Sequence, residues 1–276
     1  MGVRPPLGKY LREVIARHEF LRVLAESKAK AENENTYLGQ LWAILTPVLN
    51  SVVYVFIFGI LLKTRAGMDS VVGFIVVGTF TYGYFSTTVT NASKSITSNI
   101  RLVQSLNFPR ILMPMATALK DLIILLPGLV VMILIAQVSI VTGPGWSAVH
   151  PERWILLLPA IVFLALFSSG VGFLLAKFAS RMPDIVKLLP FILRVIMYAS
   201  GVLFAIPHQV GESFIRQIME HQPVAVYLNL VRQAIISEKS IPLNPSYWFE
   251  GAIWAVAVFA IGFVTFWRDE ARYGRD

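Results

Sequence analysis

Residues 42–62 read WAILTPVLNSVVYVFIFGILL, an uncharged run of 21 positions. An α-helix needs about 20 mostly apolar residues to cross the hydrocarbon core of a bilayer, so this run predicts a membrane-spanning helix. The whole chain agrees, because only 14% of its 276 residues are charged and its mean hydropathy is +0.66. A soluble domain carries about 25% charged residues. We therefore expect an integral membrane protein.

Five more segments have the composition of a span, and they are 71–93, 113–141, 154–176, 191–206 and 248–267. The distribution of Lys and Arg then predicts the orientation. Sixteen of these residues lie on the two terminal segments and on the loops 94–110 and 177–190, whereas six lie on the other three loops. Because basic residues collect on the cytoplasmic side, we predict an all-α protein with six transmembrane helices and cytoplasmic N- and C-termini. The net charge of +8 then reflects topology, and we expect no nucleic-acid partner.

The predicted transmembrane domain, 42–267, is flanked by two cytosolic segments, 1–41 and 268–276. The first segment lacks the apolar core of a signal peptide, so we do not expect one. It predicts instead one amphipathic helix that lies on the membrane surface. The residues that recur at helical spacing on its stripe are Leu7, Leu11, Val14, Ile15, His18, Leu21, Leu24 and Ala25.

The outer segment 207–247 differs from a plain hydrophilic loop. Its residues 224–236, VAVYLNLVRQAII, are mostly apolar but too few to span a bilayer. Together with the short fifth span they predict a helical hairpin that re-enters the outer leaflet, where protein or water must cover its polar groups. An interfacial helix lying flat on the membrane is the alternative. We take Tyr227, Asn229 and Arg232 as candidate residues of an extracellular gate.

The second span is rich in hydroxyl groups and carries no charge. Such side chains either hydrogen-bond between helices or line a path for a polar solute, and hydroxyls with aromatic rings suit sugars. Lys120 and its neighbour Asp121 fall in the third span, at its headgroup end or deeper, where ionisable groups are often functional. Arg194 could meet a phosphate near the inner leaflet or snorkel to the interface. The candidate path residues are Tyr54, Thr79, Tyr82, Tyr84, Thr87, Asn91, Lys120 and Arg194.

Motifs for enzyme chemistry are missing from the sequence. It contains no G-x-x-x-x-G-K-[ST] phosphate loop, no H-E-x-x-H pair, no G-x-S-x-G nucleophile and no Cys, and its four His residues are scattered. We therefore expect neither an enzyme nor a bound metal. Uphill transport would need an ion gradient or a partner ATPase. Ion-driven carriers often show repeated halves and several midplane carboxylates, and we find no repeat.

Three motifs together resemble the permease subunits of ABC-2-type exporters, which move lipid-linked polysaccharides and teichoic acids. They are NTYLGQLWAILTPVLNSVVYVFIFGILL at 35–62, SLNFPRILMP at 105–114 and RMPDIVKLLPFILRVIMYASGVLF at 181–204. Their order follows the six-span plan through most of the chain. The NTYLG version, preceded by Glu32 and Glu34 rather than by a basic run, looks more like the teichoic-acid branch.

The resemblance implies a half-transporter. Two copies of this chain would work with two copies of an ABC ATPase subunit, which binds ATP and Mg, while this chain binds no cofactor. The loop after the second span, 94–110, would form a coupling helix on the ATPase, with Asn99, Arg101, Leu102, Leu106, Phe108, Pro109 and Arg110 as candidates. Glu32 and Glu34 are unusual on a positive-inside face, so we expect them to contact a basic surface of the ATPase or the coupling loop.

These features predict a permease of a bacterial plasma membrane that exports a lipid-linked anionic polysaccharide. Wall teichoic acid is the first expectation, and an O-antigen or capsule-type polymer is the alternative. An ion-driven carrier is a further alternative. The path would run between the two copies, lined by the first, second and fifth spans. Membrane lipids are a further expected partner of the protein.

Overall fold

The computed structural model describes residues 6–32, 34, 36–62, 68–105, 108–146, 149–236, 238, 240–271 and 273. Within these residues the protein is all helical, as predicted, with no strand. Seven residues of wider, π-type turns, Val55–Leu61, extend the third helix. The α-helices of the described ranges are α1 Leu7–Ala16, α2 His18–Ala31, α3 Trp42–Tyr54, α4 Val71–Lys94, α5 Ile100–Ser105, α6 Leu112–Thr142, α7 Leu157–Arg181, α8 Asp184–Ala199, α9 Ile206–Gln209, α10 Phe214–His221, α11 Pro223–Ile235 and α12 Pro245–Arg268.

Five helical runs among the described residues are long and apolar enough to cross a membrane. They are Gly39–Leu61, Val71–Lys94, Leu112–Thr142, Pro151–Arg181 and Pro245–Arg268. Five of the six predicted spans, the first four and the last, are thereby confirmed as candidate spans, each to within about five residues at either end. The agreement follows from composition, because a long run without charge can satisfy its backbone in hydrocarbon only as a helix.

The predicted fifth span, 191–206, has different bounds in the structure. The helix at this place is α8, Asp184–Ala199, whose 16 residues reach only about 24 Å. Asp184 and Lys187, which favour a loop in the sequence, stand exposed on its first turns and form an ion pair of 3.3 Å. The helix ends just before Gly201, whose φ of 67° is a left-handed conformation that glycine adopts without a steric penalty.

The N-terminal segment forms two helices rather than the single one predicted. α1 and α2 meet at Arg17, whose φ of −100° and ψ of 25° lie outside the helical range. The break divides the predicted stripe, so that Val14 and Ala25 are buried while Ile15 is 69% exposed. The predicted stripe assumes one straight helix, and its residues no longer lie on one face when the helix axis changes direction at Arg17. α2 packs on α6 and brings the segment against the bundle.

α4 lies at the centre of the bundle, in contact with α3, α6, α7, α8 and α11. Its apolar stretch is 72% buried within the chain, whereas that of the first span is only 6% buried. The hydroxyl-rich helix is therefore the interior one, and the most apolar faces point outward. This inversion of the soluble pattern is expected where the surroundings are lipid or another subunit.

Residues between α8 and α12 fold over the end of the bundle where α4 begins. α11 is almost wholly buried among α4, α7 and α12. The Tyr227 hydroxyl donates a hydrogen bond of 2.8 Å to the carbonyl oxygen of Gly251, and Trp248 donates one of 3.0 Å to Gln233. α10, in contrast, exposes the apolar residues Phe214, Ile215 and Ile218.

Candidate functional site

A cleft of about 310 Å³ opens between α3, α4 and α6. Its α4 wall presents Thr79, Tyr84 and Thr87, and α3 contributes Thr46 and Asn50. Apolar groups complete the lining, among them Trp42, Pro47, Phe80 and Leu125. Hydroxyl and amide groups among apolar surfaces suit a sugar-bearing ligand, because its rings can stack while its hydroxyls exchange hydrogen bonds.

Two glycines lie in the wall of this cleft. Gly83 of α4 and Gly128 of α6 both line it, and a Cβ added at Gly83 would meet nothing within 4 Å. The hydroxyl of Thr79 donates to the carbonyl oxygen of Ile75 at 2.7 Å, which leaves its lone pairs for a donor in the cleft. A Cβ at Gly128 would make only an ordinary contact with the Phe80 ring at 3.5 Å, so a small side chain would fit at either position.

A charged cluster closes one end of the cleft. The ammonium of Lys120 lies 2.5 Å from Oε2 of Glu32 and 2.8 Å from Oδ1 of Asp121. Asn91 of α4 donates to the same Asp121 oxygen at 3.0 Å. The Lys120 side chain is only 8% exposed, and a buried cation needs such partners to remain charged. Glu32 follows α2, so α2, α4 and α6 are joined through the Lys120–Asp121 pair.

A second depression, of about 360 Å³, adjoins the cleft at Glu32. Lys28 of α2, Lys94 of α4 and Lys120 of α6 line it, and Glu32 is the acidic residue among its described lining. Burial and then the neighbouring Lys120 charge lower the pKa of Lys28. Three lysines against one carboxylate give the described lining an excess of positive charge, which would attract an anion. We call these three residues the lysine cluster.

The remaining predicted path residues lie on another side of α4. The Tyr54 hydroxyl donates to Sδ of Met197 on α8 at 3.7 Å, and the Tyr82 hydroxyl donates to the carbonyl oxygen of Leu193. Arg194 stands exposed on α8 near Tyr54. The structure thus separates the predicted path residues into three groups. Thr79, Tyr84 and Thr87 line the cleft, and Asn91 and Lys120 line the adjoining depression. Tyr54, Tyr82 and Arg194 lie on or near α8.

The predicted coupling residues are only partly at the surface. Arg101 is exposed on α5 and Leu102 is half-buried there, while the Asn99 amide donates to the carbonyl oxygen of Ser95 at 2.8 Å. Leu106 lies outside the described residues. A docking role for the exposed face of α5 stays a prediction.

Phe108 and Pro109 have partners inside the chain instead. Phe108 is 7% exposed, and its ring centroid lies 5.5 Å from that of Phe20 on α2. Pro109 is buried beside it. Neither side chain is therefore exposed as a surface anchor in this structure, and a role of either residue in ATPase coupling stays a prediction. The sequence shows an apolar pair in a cytosolic loop, but it does not show that the N-terminal helices cover that pair.

Arg110 is bound to the C-terminal segment. Its main-chain N–H donates to Oε1 of Glu270 at 2.7 Å, and its guanidinium donates to the main-chain oxygen of Glu270 at 2.6 Å. The Tyr10 hydroxyl of α1 donates to Oε2 at 2.7 Å. Burial raises the pKa of Glu270, and these hydrogen bonds offset the effect only in part. The 94–110 loop, α1 and the C-terminal segment are thus joined at one carboxylate.

Glu32 and Glu34 have different surroundings. Glu32 forms the ion pair with Lys120, so its charge already has an internal partner. Contact of Glu32 with an ATPase or with the coupling loop would have to compete with this ion pair, and it stays a prediction. Glu34 is exposed and remains accessible to another subunit.

The predicted gate residues lie on α11. Tyr227 and Arg232 are each 1% exposed, and Asn229 is half-buried. Asn229 and Arg232 line a third cavity, of about 240 Å³, which also contains Phe74 near the start of α4. This cavity and the lysine cluster therefore lie toward opposite ends of α4.

Sequence reasoning missed several residues of these sites. Thr46 and Asn50 are spaced four apart in the first span, a signal that would have placed both on one helix face. Lys28 was used only as one of the basic residues that predict the orientation of the chain, and not as a site residue. Glu270 had no usable signal, because its partners Tyr10 and Arg110 lie 260 and 160 positions away in the sequence.

Comparison with known proteins adds a family and two relatives. The family described as ABC-2 type transporter matches residues 21–236. The chain is 25% identical over 235 residues to an "O-antigen export system permease protein RfbA" from Myxococcus xanthus, covering 85% of this chain and 86% of that protein. It is 23% identical over 211 residues to a protein of the same description from Klebsiella pneumoniae, covering 75% and 76%.

Proposed function

The chain belongs to the ABC-2 type transporter family and is a multi-pass membrane protein, and from that membership we propose that it is the permease subunit of a plasma-membrane exporter for a lipid-linked polysaccharide. Relatives described as O-antigen export permeases support this substrate class. An O-antigen type of polymer is accordingly better supported than wall teichoic acid, which the sequence motifs favour. Teichoic acid stays a prediction.

The observation that carries the proposal is the junction of the lysine cluster with the cleft. A lipid-linked polysaccharide has two chemically distinct parts, a diphosphate and a chain of sugars. The lysine cluster offers cations for the first, and the adjoining cleft offers hydroxyl, amide and aromatic groups for the second. The two parts of the site share Glu32, so a single ligand can engage both.

We infer that the diphosphate competes with Glu32 for Lys120. Glu32 is 35% exposed at its side chain and follows the last turn of α2, whereas Asp121 is 3% exposed. The more exposed carboxylate is the one that an incoming anion can replace at lower desolvation cost. Its release would free the segment that joins α2 to the first span.

The proposed membrane arrangement has six passages with cytoplasmic termini. α8 would enter from the cytoplasmic side, and α10 and α11 would form the outer re-entrant hairpin. The burial of α11 among α4, α7 and α12 supports this, because polar groups at membrane depth must be covered by protein or water.

The proposed partners are a second copy of this chain and two ABC ATPase subunits, which would hydrolyse ATP. The ATPase would dock on the exposed face of α5. The second copy would cover α3 and α8, where the first span is 6% buried and Arg194 is exposed among the apolar residues of the second half of α8. An arginine facing lipid is costly, so a water-filled path between two copies is the better environment for it.

The test is ATPase stimulation in the complex with its co-expressed ATPase. A double variant, Lys28→Gln with Lys94→Gln, removes two cations without disturbing the Lys120 ion pairs. We expect it to lower the stimulation by a diphosphate-linked polysaccharide about tenfold. Lys187→Gln is the matched control, because Lys187 is exposed outside both depressions.

Each outcome bears on one part of the proposal. Equal stimulation in the double variant and in the Lys187 control would exclude the lysine cluster as the diphosphate site. A comparison of neutral O-antigen with anionic teichoic acid would distinguish the two polymers. Export that continues in vesicles without the ATPase would support the ion-driven alternative.

A further inference from the structure

The cavity under α11 combines cationic and polar groups, and two polar atoms of its lining have no hydrogen-bond partner in the described chain. It measures about 240 Å³ and is lined by Arg216, Asn229, Arg232, Ser240 and Tyr247, by the carboxylate residue Glu220 and by Asn244, together with apolar residues. The Nε of Arg232 and the hydroxyl of Ser240 are buried atoms without a hydrogen-bond partner. Buried polar atoms without partners are rare in proteins, so two at one cavity indicate that a ligand completes the site.

Arg232 is held rigidly in place. Its Nη2 donates to the carbonyl oxygen of Val202 at 2.9 Å and to that of Phe74 at 3.4 Å, and its guanidinium carbon lies 3.5 Å from the centre of the Phe74 ring. These contacts position the guanidinium but do not neutralise it. Because a planar, immobilised guanidinium binds oxyanions in a defined geometry, little entropy is lost when such a ligand arrives.

The nearby carboxylates are engaged with other groups. Glu238 accepts hydrogen bonds from the backbone N–H groups of Asp69 and Ser70, at 2.7 and 3.0 Å. Glu220 forms an ion pair with Arg216 at 2.7 Å. Neither carboxylate makes a contact ion pair with Arg232 in the described structure. A buried cation left in this state is costly, and an anionic ligand would remove that cost.

Gly78 makes room for the guanidinium. A Cβ at this position would lie 2.6 Å from Nη2 of Arg232 and 2.7 Å from the carbonyl oxygen of Val202. Any other residue there would push the guanidinium away from its carbonyl partners. The site is therefore built from three separate segments, namely α4, the turn after α8, and α11.

We propose that this cavity binds a phosphate group at the outer side of the protein, with Arg232, Ser240 and Asn229 as its ligands. Phosphate fits because its oxygens accept several hydrogen bonds at once and because it is the anion of both lipid headgroups and lipid-linked polymers. The site lies near the beginning of α4, and the lysine cluster lies near its end. It stands on its own geometry and does not depend on the polymer assigned above.

The test is binding of inorganic pyrophosphate to the full-length protein in a maltoside detergent, which contains no phosphate. The measurement, by isothermal titration calorimetry, is made in the Lys28→Gln, Lys94→Gln background so that the lysine cluster does not contribute. We expect Arg232→Lys and Gly78→Ala each to weaken binding at least tenfold, and Ser240→Ala to weaken it about threefold. Gly211→Ala, at a glycine with open space, should leave the affinity unchanged.

A second arm identifies the source of the phosphate. Native mass spectrometry of the same variants would measure retained phosphatidylglycerol. Loss of lipid retention with Arg232→Lys would indicate a headgroup, and loss of pyrophosphate binding alone would indicate a water-exposed or polymer phosphate; both support the site. If neither probe binds, or if Ser240→Ala and Gly78→Ala fold normally and bind like the parent, the proposal is wrong.

Discussion

At the scale of single residues, the chain repeatedly uses one ionisable group to join distant segments. Lys120 connects α2 with α6, and Glu270 connects α1, the coupling loop and the C-terminal segment. Each group is nearly buried, so its protonation state affects the packing of several elements at once. Stability should therefore respond to pH through these residues.

Glu270 allows this to be tested outside the membrane-spanning helices. Its pKa is raised, first by burial, so the folded state holds the proton more tightly than the unfolded state does. The contribution of the Glu270 titration to the free energy of unfolding is fully present below the ordinary pKa of a glutamate. It is lost as the pH rises through the raised pKa of the folded state. Glu270→Gln removes the titration but keeps the side-chain shape and one acceptor.

We expect the unfolding temperature of the parent protein to rise relative to that of Glu270→Gln as the pH is lowered through this window. Both proteins are measured in the same detergent, so that other titrating groups cancel. Glu270→Ala should be destabilised by about 1–3 kcal/mol at every pH, because the Arg110 N–H and the Tyr10 hydroxyl lose their acceptors. A constant difference between parent and Gln variant across the pH range would contradict the raised pKa.

At the scale of elements, the 94–110 loop, which we propose as the coupling loop, consists of two parts with different surroundings. α5 exposes Arg101, whereas the segment from Phe108 to Arg110 is attached to α1, α2 and the C-terminal segment. Motion of an ATPase against α5 would therefore reach the N-terminal helices through the same loop. Rigid-body displacement of packed helices is a known means of such transmission.

Arg101→Glu should weaken association with the proposed ATPase partner at least tenfold, because it reverses a charge on the proposed docking face of α5. The measurement is co-purification from detergent extracts, with the amount of permease in the membrane as the reference. Lys187→Glu, a charge reversal on α8, is the matched control.

Phe108→Ala should behave differently. Loss of a buried phenylalanine costs about 3–5 kcal/mol of folding free energy, so the expected effect is reduced yield and a lower unfolding temperature. An ATPase that dissociates from stable, fully expressed Phe108→Ala protein, and remains bound to Arg101→Glu, would reverse these assignments.

At the scale of the whole molecule, burial is distributed unevenly over the helices. α4 is largely enclosed, but α3 and α8 expose continuous apolar surfaces with Tyr54, Tyr82 and Arg194 close by. Such a surface meets either lipid or another protein. An exposed arginine is better accommodated at a water-filled contact between two protein surfaces than in lipid, which is why we propose a second copy as the neighbour.

Cysteine cross-linking distinguishes the two environments cleanly, because the chain contains no Cys of its own. We expect Val53→Cys on α3 and Val195→Cys on α8 to form disulfide-linked dimers on oxidation in membranes. Ile253→Cys on α12 is the control, since its side chain is 68% exposed on a helix away from this face. Cross-linking at Ile253 with none at Val53 or Val195 would place the dimer interface elsewhere.

The sequence by itself determined the helical class, five of the spans, the polar character of α4 and the expected family. These properties depend on composition and local periodicity, which hydrocarbon surroundings select strongly. Tertiary structure decided which polar residues share a site: Thr46 with Thr87, Lys28 with Lys94, and Arg232 with Ser240. It also decided that Phe108 and Glu32 have internal partners. Those facts depend on helix crossings and on contacts between residues far apart in the chain, which no local pattern encodes.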